Sequence, residues 1–332
     1  MPTRRTNRRD FIAGLGGAAA WTAVASAQKS AVPIIRFLGV SSLEKMGGGV
    51  LLDFKRGLAN TGFVDGQNVT IEYRWAEEQY DRLPSLAMEL VQRGVTVLAA
   101  PGSPAALPAK AATRDIPIVF MIGSDPVKLG LVASLNRPGG NLTGVSYFNE
   151  EVAPKRLELL HEFVPEAKSV ALLVNPANST LAATQIKELK PAADAIGLHL
   201  DIVKASNAVD LEQAFAIMVR EQIEALQLGV DPVFGNHIDQ IVSLAQHNKI
   251  PAVYPWREFT VAGGLMNYGS SIPDAYQQVG AYVGQILKGA KPAELPVQRP
   301  TKLILVVNVK AARALGASFS APLLARADEV IE

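Results

Sequence analysis

Apolar runs and amphipathic segments alternate regularly along the first half of the chain. Residues 34–40 form an apolar run interrupted only by Arg36, which is typical of a strand buried on both faces of a parallel sheet. The same reasoning predicts further strands at 69–75, 95–99 and 116–122, and helices at 50–58 and 83–91. This βαβαβαβ order, with short connections, predicts an α/β fold whose helices cover both faces of a parallel sheet.

The same rhythm restarts after Glu150. Helical spacing predicts helices at 157–164, 181–196 and 211–218, and apolar runs predict strands at 170–174, 198–203 and 225–228. The halves also share a detail, because Pro117 and Pro251 each precede a short apolar run. Since proline is tolerated at the start of a strand, this detail alone proves nothing. Together with the repeated rhythm it predicts two similar Rossmann-like lobes, not one long sheet.

One more helix and one more strand follow the second series. The helix covers residues 276–287, begins near Pro273 and ends before Gly289, and the strand covers residues 303–307. Because these elements lie beyond the second βα series, we expect the chain to return to the first lobe.

The first 27 residues have the layout of an export signal. Arginines at 4, 5, 8 and 9 precede an apolar stretch at 11–24, and Ala25-Ser26-Ala27 offers small residues to a peptidase. The apolar stretch is shorter than the roughly 20 residues that span a bilayer. Asp10-Phe11-Ile12 after the second arginine pair resembles a bacterial twin-arginine signal, with the general secretory route as the alternative. We therefore expect a periplasmic protein, cleaved near Ala27.

Composition narrows the possible functions. The 332 residues include 32 Lys and Arg against 31 Asp and Glu, which is too even a balance for the many phosphate contacts of a nucleic-acid partner. The complete absence of Cys excludes disulfides, thiolate nucleophiles and Cys-zinc sites. Only oxygen and imidazole chemistry remains.

Ligands of open parallel α/β sheets bind at the carboxyl ends of the strands, so the candidate ligand-binding residues lie there. They are Ser41, Ser42, Gly102, Ser103, Ser124, Asp125, Tyr147, Asn175, Asn178, Ser179, Thr180, Asp231, Tyr254, Trp256, Asn267 and Tyr268. Hydroxyls, amides and free helix N–H groups can orient an anion or an amino-acid carboxylate without any catalytic group. The alternative for each Ser or Asn is a helix N-cap.

Two aspartates and four aromatic residues have two interpretations each. Asp125 and Asp231 both begin an Asp-Pro-Val sequence, and one could pair with a ligand ammonium or merely hydrogen-bond its own turn. The rings of Tyr147, Tyr254, Trp256 and Tyr268 could stack on a solute or simply pack between the lobes.

The sequence contains little that resembles the motifs of enzymes. The four histidines are far apart and form no His-Glu-x-x-His pattern, so no metal site is predicted. Gly47-Gly48-Gly49 lacks the Lys-Ser/Thr of a P-loop, and no Gly-x-Ser-x-Gly nucleophile motif is present. We predict no catalytic residue and no cofactor.

Three blocks of sequence resemble one known family. They are residues 123–145, which begin Gly-Ser-Asp-Pro-Val, the Gly-Leu-Met-Asn-Tyr-Gly of 264–269, and residues 286–297. All three resemble ABC-transporter substrate-binding proteins related to tryptophan- and tyrosine-binding members. The resemblance implies a type I periplasmic binding-protein fold, in which two lobes joined by three crossing strands enclose a solute and present it to a membrane permease. No lipid-anchoring Cys is present, so a freely soluble monomer is expected.

On this resemblance, lobe 1 covers residues 33–146 and 268–300, and lobe 2 covers 147–267 and 301–332. The expected crossings are 145–149, 266–270 and 298–303. The function predicted is the capture of a small solute for an ABC importer. The solute classes considered are an amino acid or another small carboxylate, including aromatic ones. Two alternatives are an extracytoplasmic enzyme that uses Asp125 or Asp231, and a sensing domain like those of lactose-repressor-type regulators. The second needs a DNA-binding segment for which residues 1–27 leave no room.

Overall fold

The computed structural model describes residues 32–42, 44–45, 47–300 and 302–332. The predicted export signal and its cleavage near Ala27 lie outside the described residues. Residues from Pro33 onwards fold around two separate β-sheets. The structure is therefore α/β with two lobes, as the sequence rhythm predicts.

Lobe 1 is built on a five-stranded sheet of order β2-β1-β3-β4-β5, in which every pair of neighbours is parallel. Its strands are β1 (Ile34–Gly39), β2 (Thr70–Trp75), β3 (Val97–Pro101), β4 (Ile118–Ile122) and β5 (Leu142–Ser146). The connecting helices are α1 (Gly47–Ala59), α2 (Leu83–Gln92) and α3 (Ser103–Ala112). Strand β3 begins two residues later than predicted, because Val95 and Thr96 lead the chain into the sheet from Gly94, which has φ 69°.

Lobe 2 is built on a seven-stranded sheet of order β12-β11-β10-β9-β8-β6-β7. Its strands are β6 (Ser169–Val174), β7 (His199–Lys204), β8 (Ala225–Leu228), β9 (Ala252–Tyr254), β10 (Met266–Gly269), β11 (Ile304–Asn308) and β12 (Glu329–Ile331). The order β7-β6-β8-β9-β10 repeats the order of lobe 1, and these five strands are parallel. Strand β11 lies next to β10 and runs antiparallel to it, and β12 pairs with β11 at the edge of the sheet.

The remaining helices complete both lobes. They are α4 (Ala153–Phe163), α5 (Ser179–Ala195), α6 (Ala208–Arg220), α7 (Pro232–Gly235), α8 (Ile238–His247), α9 (Arg257–Val261), α10 (Ile272–Leu287), α11 (Val309–Ala314) and α12 (Ala321–Arg326). Helix α10 leaves lobe 2 and packs beside α1 on the sheet of lobe 1. Among the described residues, no helix is both long enough and apolar enough to cross a membrane.

The repeated prolines occupy equivalent places in the two lobes. The carbonyl of Pro117, just before β4, accepts from the backbone N–H of Leu98 at 2.9 Å. The carbonyl of Pro251, just before β9, accepts from Leu226 at 2.8 Å in the same way. Each proline thus begins the fourth strand of its lobe, where its missing N–H removes no ladder bond.

Arg36, the one polar residue in the first apolar run, is buried for a structural reason. Its guanidinium pairs with Glu72 at 2.9 Å and donates to the carbonyl of Leu90 at 2.7 Å and of Gly94 at 3.0 Å. Both carbonyls lie at the end of α2, where a cation satisfies unpaired acceptors and complements the helix dipole.

Three segments cross between the lobes at one side of the cleft, and a buried arginine joins two of them. Arg156 donates to the carbonyls of Asn149 and Tyr268, which follow β5 and belong to β10. The Asn149 amide donates to the carbonyl of Pro255 and accepts from the N–H of Ser270 at 3.3 Å. In the third segment, Gln298 pairs with Val145 of β5. The crossings are therefore tied to one another by buried polar contacts.

Glycines allow α1 and α10 to approach closely, and this contact makes a prediction. A Cβ at Gly57 would overlap the carbonyl of Gln277, whereas a Cβ at Gly49, also in α1, would meet nothing within 4 Å. We expect Gly57→Ala to lower the free energy of unfolding by about 1–3 kcal/mol through overpacking. Gly49→Ala should leave it unchanged or raise it slightly, since alanine favours helices. Urea denaturation of both variants tests this, and equal stabilities would contradict the close packing.

Candidate ligand-binding site between the lobes

The carboxyl ends of strands of both lobes face a partly open cavity, which we call the central cavity. Its volume is about 190 Å³. The lining residues are Val40, Ser41, Val50, Pro101, Gly102, Met121, Tyr147, Pro232, Gly235, Asn236, Ile238, Trp256, Glu258, Ile272 and Tyr276. An apolar cavity of roughly 150 Å³ holds benzene, so this space suits a group the size of an aromatic ring.

Glu258 carries the only charge among the described residues that line the central cavity. It lies in the first turn of α9, two residues after Trp256. Burial raises the pKa of Glu258, and a hydrogen bond from its own backbone N–H and the charge of Arg257 offset only part of this effect. Arg257 is itself paired with Glu329 at 2.7 Å. A half-buried carboxylate with no dedicated cation is a ready partner for a cationic group of a ligand.

Several neutral polar groups of the cavity are also without partners. The buried Trp256 indole nitrogen has no hydrogen-bond partner among the described residues. The hydroxyls of Tyr147 and Tyr276 likewise bond to no described residue, and burial raises the pKa of both phenols well above the usual value. Helix α3 begins next to the cavity at Gly102, and the positive end of its dipole favours an anion. Hydrogen-bond acceptors of a ligand would therefore meet N–H and O–H donors in this cavity.

Beside Glu258, the central cavity adjoins a wider, more polar depression. Both spaces share Gly235, Asn236, Ile238 and Glu258, and the depression also includes Lys45, His237 and Arg257. These four residues therefore border both spaces.

A buried carboxylate joins the lobes next to this cavity. Asp231 accepts hydrogen bonds from the amides of Asn175 at 2.9 Å and Asn178 at 3.0 Å, both in lobe 2. It also accepts from the hydroxyl of Tyr80 in lobe 1 at 2.7 Å and from the N–H of Val233 at 3.1 Å. Burial raises the pKa of Asp231, and these donors oppose that effect. Its hydrogen-bonding capacity is therefore already used by the protein.

A second interlobe contact centres on Glu78. Its carboxylate accepts from the amide of Asn236 at 2.9 Å and lies 3.3 Å from the His237 ring nitrogen and 3.1 Å from the Lys45 ammonium. Burial acts to raise the pKa of Glu78, but hydrogen bonds from Lys45, Asn236 and His237 outweigh it and lower the pKa. Asn236 also bonds the hydroxyl of Ser41 at 2.7 Å, so the contact reaches the central cavity.

The backbone is strained where lobe 1 presents Glu78. Glu77 and Glu78 both have positive φ, at 54° and 64°, a region that non-glycine residues seldom occupy. Their N–H groups are held by the carbonyls of Ser41 and Val40, at the end of β1. Such strain persists only where the surrounding structure enforces it, and it is common at ligand clamps and switch segments.

A second cavity between the lobes, which we call the acidic cavity, has a volume of about 140 Å³. Four carboxylates line it, from Asp125, Glu150, Glu151 and Glu188, together with the Lys128 ammonium. Burial raises the pKa of Glu150 to about 7, against the opposing hydrogen bond from Ser124.

The sequence-predicted site residues are distributed among these features. Ser41, Gly102, Tyr147 and Trp256 line the central cavity. Ser103, Ser124, Asp125, Asn178 and Thr180 line the acidic cavity. Asn175 and Asp231 belong to the interlobe network. Asp125 accepts from the N–H groups of Val127 and Lys128 in its own turn, which is the turn interpretation of that residue.

The remaining predicted residues lie elsewhere in the structure. Tyr254 stacks on Phe259 in the core of lobe 2, and the Asn267 carbonyl oxygen accepts from Thr260 at 2.9 Å. The ring of Tyr268 packs against the core of lobe 2, while the hydroxyl of Ser42 accepts from the N–H of Lys45. Ser179 is exposed at the start of α5. None of these five lines the central cavity among the described residues.

Sequence reasoning missed Glu258, Asn236, Tyr80 and Tyr276. Of these four residues, Glu258 could most easily have been found from the sequence. It lies two residues after the predicted site residue Trp256, in the first turn of the next helix. Asn236 is only five residues beyond Asp231. Tyr80 and Tyr276 lie in helical segments away from any strand end, so the strand-end rule could not find them.

Comparison with known proteins relates this arrangement to a family. The family model described as "ABC transporter substrate binding protein" matches residues 31–331. A "Tyrosine-binding protein" of Clostridioides difficile is 27% identical over 264 residues, which cover 79% of this chain and 75% of that protein. The fold is that of type I periplasmic binding proteins.

Two solved structures resemble this chain over 90% of its length and 99% of theirs. One, from Streptococcus pneumoniae, was solved in complex with L-Trp and is 28% identical, with a TM-score of 0.79. The other is a ligand-free, open substrate-binding protein with adhesive properties from Clostridium difficile, which is 26% identical, with a TM-score of 0.62. At similar identity, the TM-score is higher for the structure solved with L-Trp.

The Asp231 network predicts a large loss of stability on its removal. Asp231→Ala leaves two amides and the Tyr80 hydroxyl without their acceptor, so we expect a loss of about 3 kcal/mol in the free energy of unfolding. Asp125→Ala is the matched control, since it removes an acceptor only from an accessible turn, and should cost about 1 kcal/mol or less. Urea denaturation compares them, and a smaller loss for Asp231→Ala than for Asp125→Ala would contradict the network.

Proposed function

Since the chain belongs to the ABC transporter substrate-binding protein family, we propose that it is the extracytoplasmic solute-binding component of an importer. In this role it captures an amino acid between its lobes and delivers it to a membrane permease. The family predicted from the sequence blocks is thereby confirmed, and its members bind solutes. The export signal, the periplasmic location and the monomeric state remain predictions of the sequence.

One observation carries this proposal. The central cavity lies between both lobes, is mostly apolar, and has one carboxylate among its described lining residues, the half-buried Glu258. A ligand that contacts both lobes binds the closed form more tightly than the open form, and only this difference in affinity can drive closure. Its few oriented polar groups give specificity without reactive chemistry. Such a site suits capture and release of an unaltered solute, not catalysis.

The charges of the cavity favour an amino acid over a simple carboxylate. In the proposed complex, the ligand ammonium pairs with Glu258, where it also neutralises a buried charge. The ligand carboxylate faces the start of α3 at Gly102 and the unpartnered donors of Trp256 and the tyrosines. No lysine or arginine is among the described lining residues, so an anion without an ammonium group would meet only Glu258 as a charge.

The rest of the cavity favours an apolar or aromatic side chain on the ligand. Aliphatic side chains of Val40, Val50, Met121 and Ile238 line the space together with three aromatic rings. Aromatic rings stack favourably on one another in such surroundings. The tyrosine-binding relative and the solved complex with L-Trp support an aromatic amino acid for this chain as well.

Calorimetry of the mature protein tests both the role and the ligand class. We expect L-tryptophan, L-tyrosine or L-phenylalanine to bind, and the matching keto acids, which lack the ammonium group, to bind far more weakly. Glu258→Gln should weaken amino-acid binding at least tenfold, because a hydrogen bond to a charged group contributes about 1.5–3 kcal/mol.

Glu212→Gln is the matched control, since Glu212 is exposed on α6 in lobe 2 and far along the chain from the cavity residues. It should bind like the unaltered protein. A chain that binds no member of a broad amino-acid panel, or that chemically converts one of them, would refute the proposed function. Unchanged affinity in Glu258→Gln would refute only the assignment of the ammonium.

A further inference from the structure

The acidic cavity is built from both lobes and from the crossing segment between them. Ser124, Asp125 and Lys128 belong to lobe 1, and Glu150 and Glu151 follow β5 in the crossing. The opposite wall is α5 of lobe 2, which contributes Thr180, Leu181, Thr184 and Glu188. Opening of the lobes removes that wall and exposes the cavity to water. This second cavity has no part in the proposed amino-acid site.

Glu150 is the most buried carboxylate of this cavity. It is only 4% exposed, and the Ser124 hydroxyl donates to its Oε1. The Ser146 hydroxyl in turn donates to the carbonyl of Ser124 at 2.9 Å, which fixes that partner. No described residue donates to Oε2 of Glu150. A single neutral hydrogen bond does not offset the cost of burying a carboxylate, so burial raises the pKa of Glu150 to about 7.

The charged groups around Glu150 do not neutralise it. Lys128 is engaged by Glu188 at 3.6 Å, which is a contact from lobe 1 to lobe 2. Arg156 of α4 is buried nearby but donates to backbone carbonyls of the crossings. The negative charge of Glu188 acts to raise the pKa of Glu150, whereas the positive charges of Arg156 and Lys128 act to lower it.

Two further carboxylates line the same space. Asp125 is bonded within its own turn, and Glu151 lies 3.4 Å from the Arg299 guanidinium. The acidic cavity therefore gathers four carboxylates around one lysine, with one arginine behind the crossing. Closure brings the Glu188 side of this cluster against the Glu150 side.

We propose that closure of the lobes takes up one proton on Glu150, so that the protein holds its solute more tightly in acidic surroundings. In the open form, water replaces the α5 wall and solvates the Glu150 carboxylate, which stays ionised. In the closed form, the carboxylate loses that water and faces Glu188, so it is favoured in its neutral form. The proton enters from solvent on closing and returns to solvent on opening.

The direction of the pH dependence follows from linkage. The closed form binds the proton more tightly than the open form, so its advantage is complete below the pKa of the open form. It declines as pH rises and is lost above about 7, the pKa of Glu150 in the closed form. Between pH 5.5 and pH 8, the dissociation constant should rise by about tenfold, which corresponds to roughly one unit of difference between the two pKa values.

Calorimetric titration of the protein with L-tryptophan and with L-tyrosine at pH 5.5, 6.5, 7.5 and 8 tests this proposal. Only the choice of these ligands rests on the proposed function. Glu150→Gln should bind at pH 8 about as tightly as the unaltered protein at pH 5.5, because glutamine is permanently neutral. It should also lose the pH dependence. Glu151→Gln, the same change at the next residue, should retain it, and Glu188→Gln should show a smaller dependence.

His237 beside Glu78 also bridges the lobes, so the difference between the unaltered protein and Glu150→Gln measures the contribution of Glu150. A pH profile that is the same in both proteins would overturn the proposal. So would a dissociation constant that falls as pH rises.

A ligand-free measurement separates this proposal from the proposed function. Because the chain has no Cys, a fluorophore pair can be attached at Met88→Cys in lobe 1 and Val209→Cys in lobe 2, which are both exposed. Energy transfer between the labels should change between pH 5.5 and pH 8, and Glu150→Gln should abolish the change. If no amino acid binds but this difference is present, the proposed function fails and the proton-linked closure stands. An equal response in both proteins refutes the linkage, whatever binds.

Discussion

The Asp231 carboxylate imposes the strictest constraint on how the two lobes meet. It is fully buried, and a buried carboxylate is tolerated only where enough donors surround it. Asn175 and Asn178 supply donors from its own lobe, whereas the Tyr80 hydroxyl reaches it from the other lobe. The arrangement of the lobes in this structure provides the complete set. Closure is therefore specified by hydrogen bonding, which is directional, as well as by apolar burial, which is not.

The two interlobe cavities treat charge differently, and this separates their roles. The central cavity surrounds one carboxylate with apolar and aromatic groups, so a cationic group of a ligand completes it. The acidic cavity gathers four carboxylates around one lysine, so protons complete it more readily than an organic ligand does. Both arrangements cost free energy while unsatisfied, and both are satisfied best when the lobes are closed. In the two proposals made above, solute capture and proton uptake act on the same motion of the lobes.

Some of the strained backbone lies at the cleft and in the first crossing, and buried polar contacts hold the crossing segments together. The pair Glu77 and Glu78 has positive φ at the end of β1, and Phe148 has φ 51° in the first crossing, beneath the Arg299 guanidinium. Between them, buried contacts of Arg156 and Asn149 tie the crossing segments together. Strained backbone persists only where neighbouring contacts enforce it. These three residues lie at the cleft or in the crossing, whereas the other two non-glycine residues with positive φ in the described part of the chain, Gln222 and Lys249, lie in the turns after α6 and α8.

The sequence by itself determined most of the order of strands and helices, the duplication of the lobes and the equivalence of Pro117 and Pro251, because these depend on neighbours along the chain. Helix α3 was not predicted from the sequence, because an alanine-rich segment containing Pro108 has no apolar periodicity. Only the tertiary structure decided that Glu258 lines the central cavity while the hydrogen-bonding capacity of Asp231 is used by the protein. Their surroundings come from segments more than a hundred residues apart, and no local pattern encodes which groups will meet when the two lobes close.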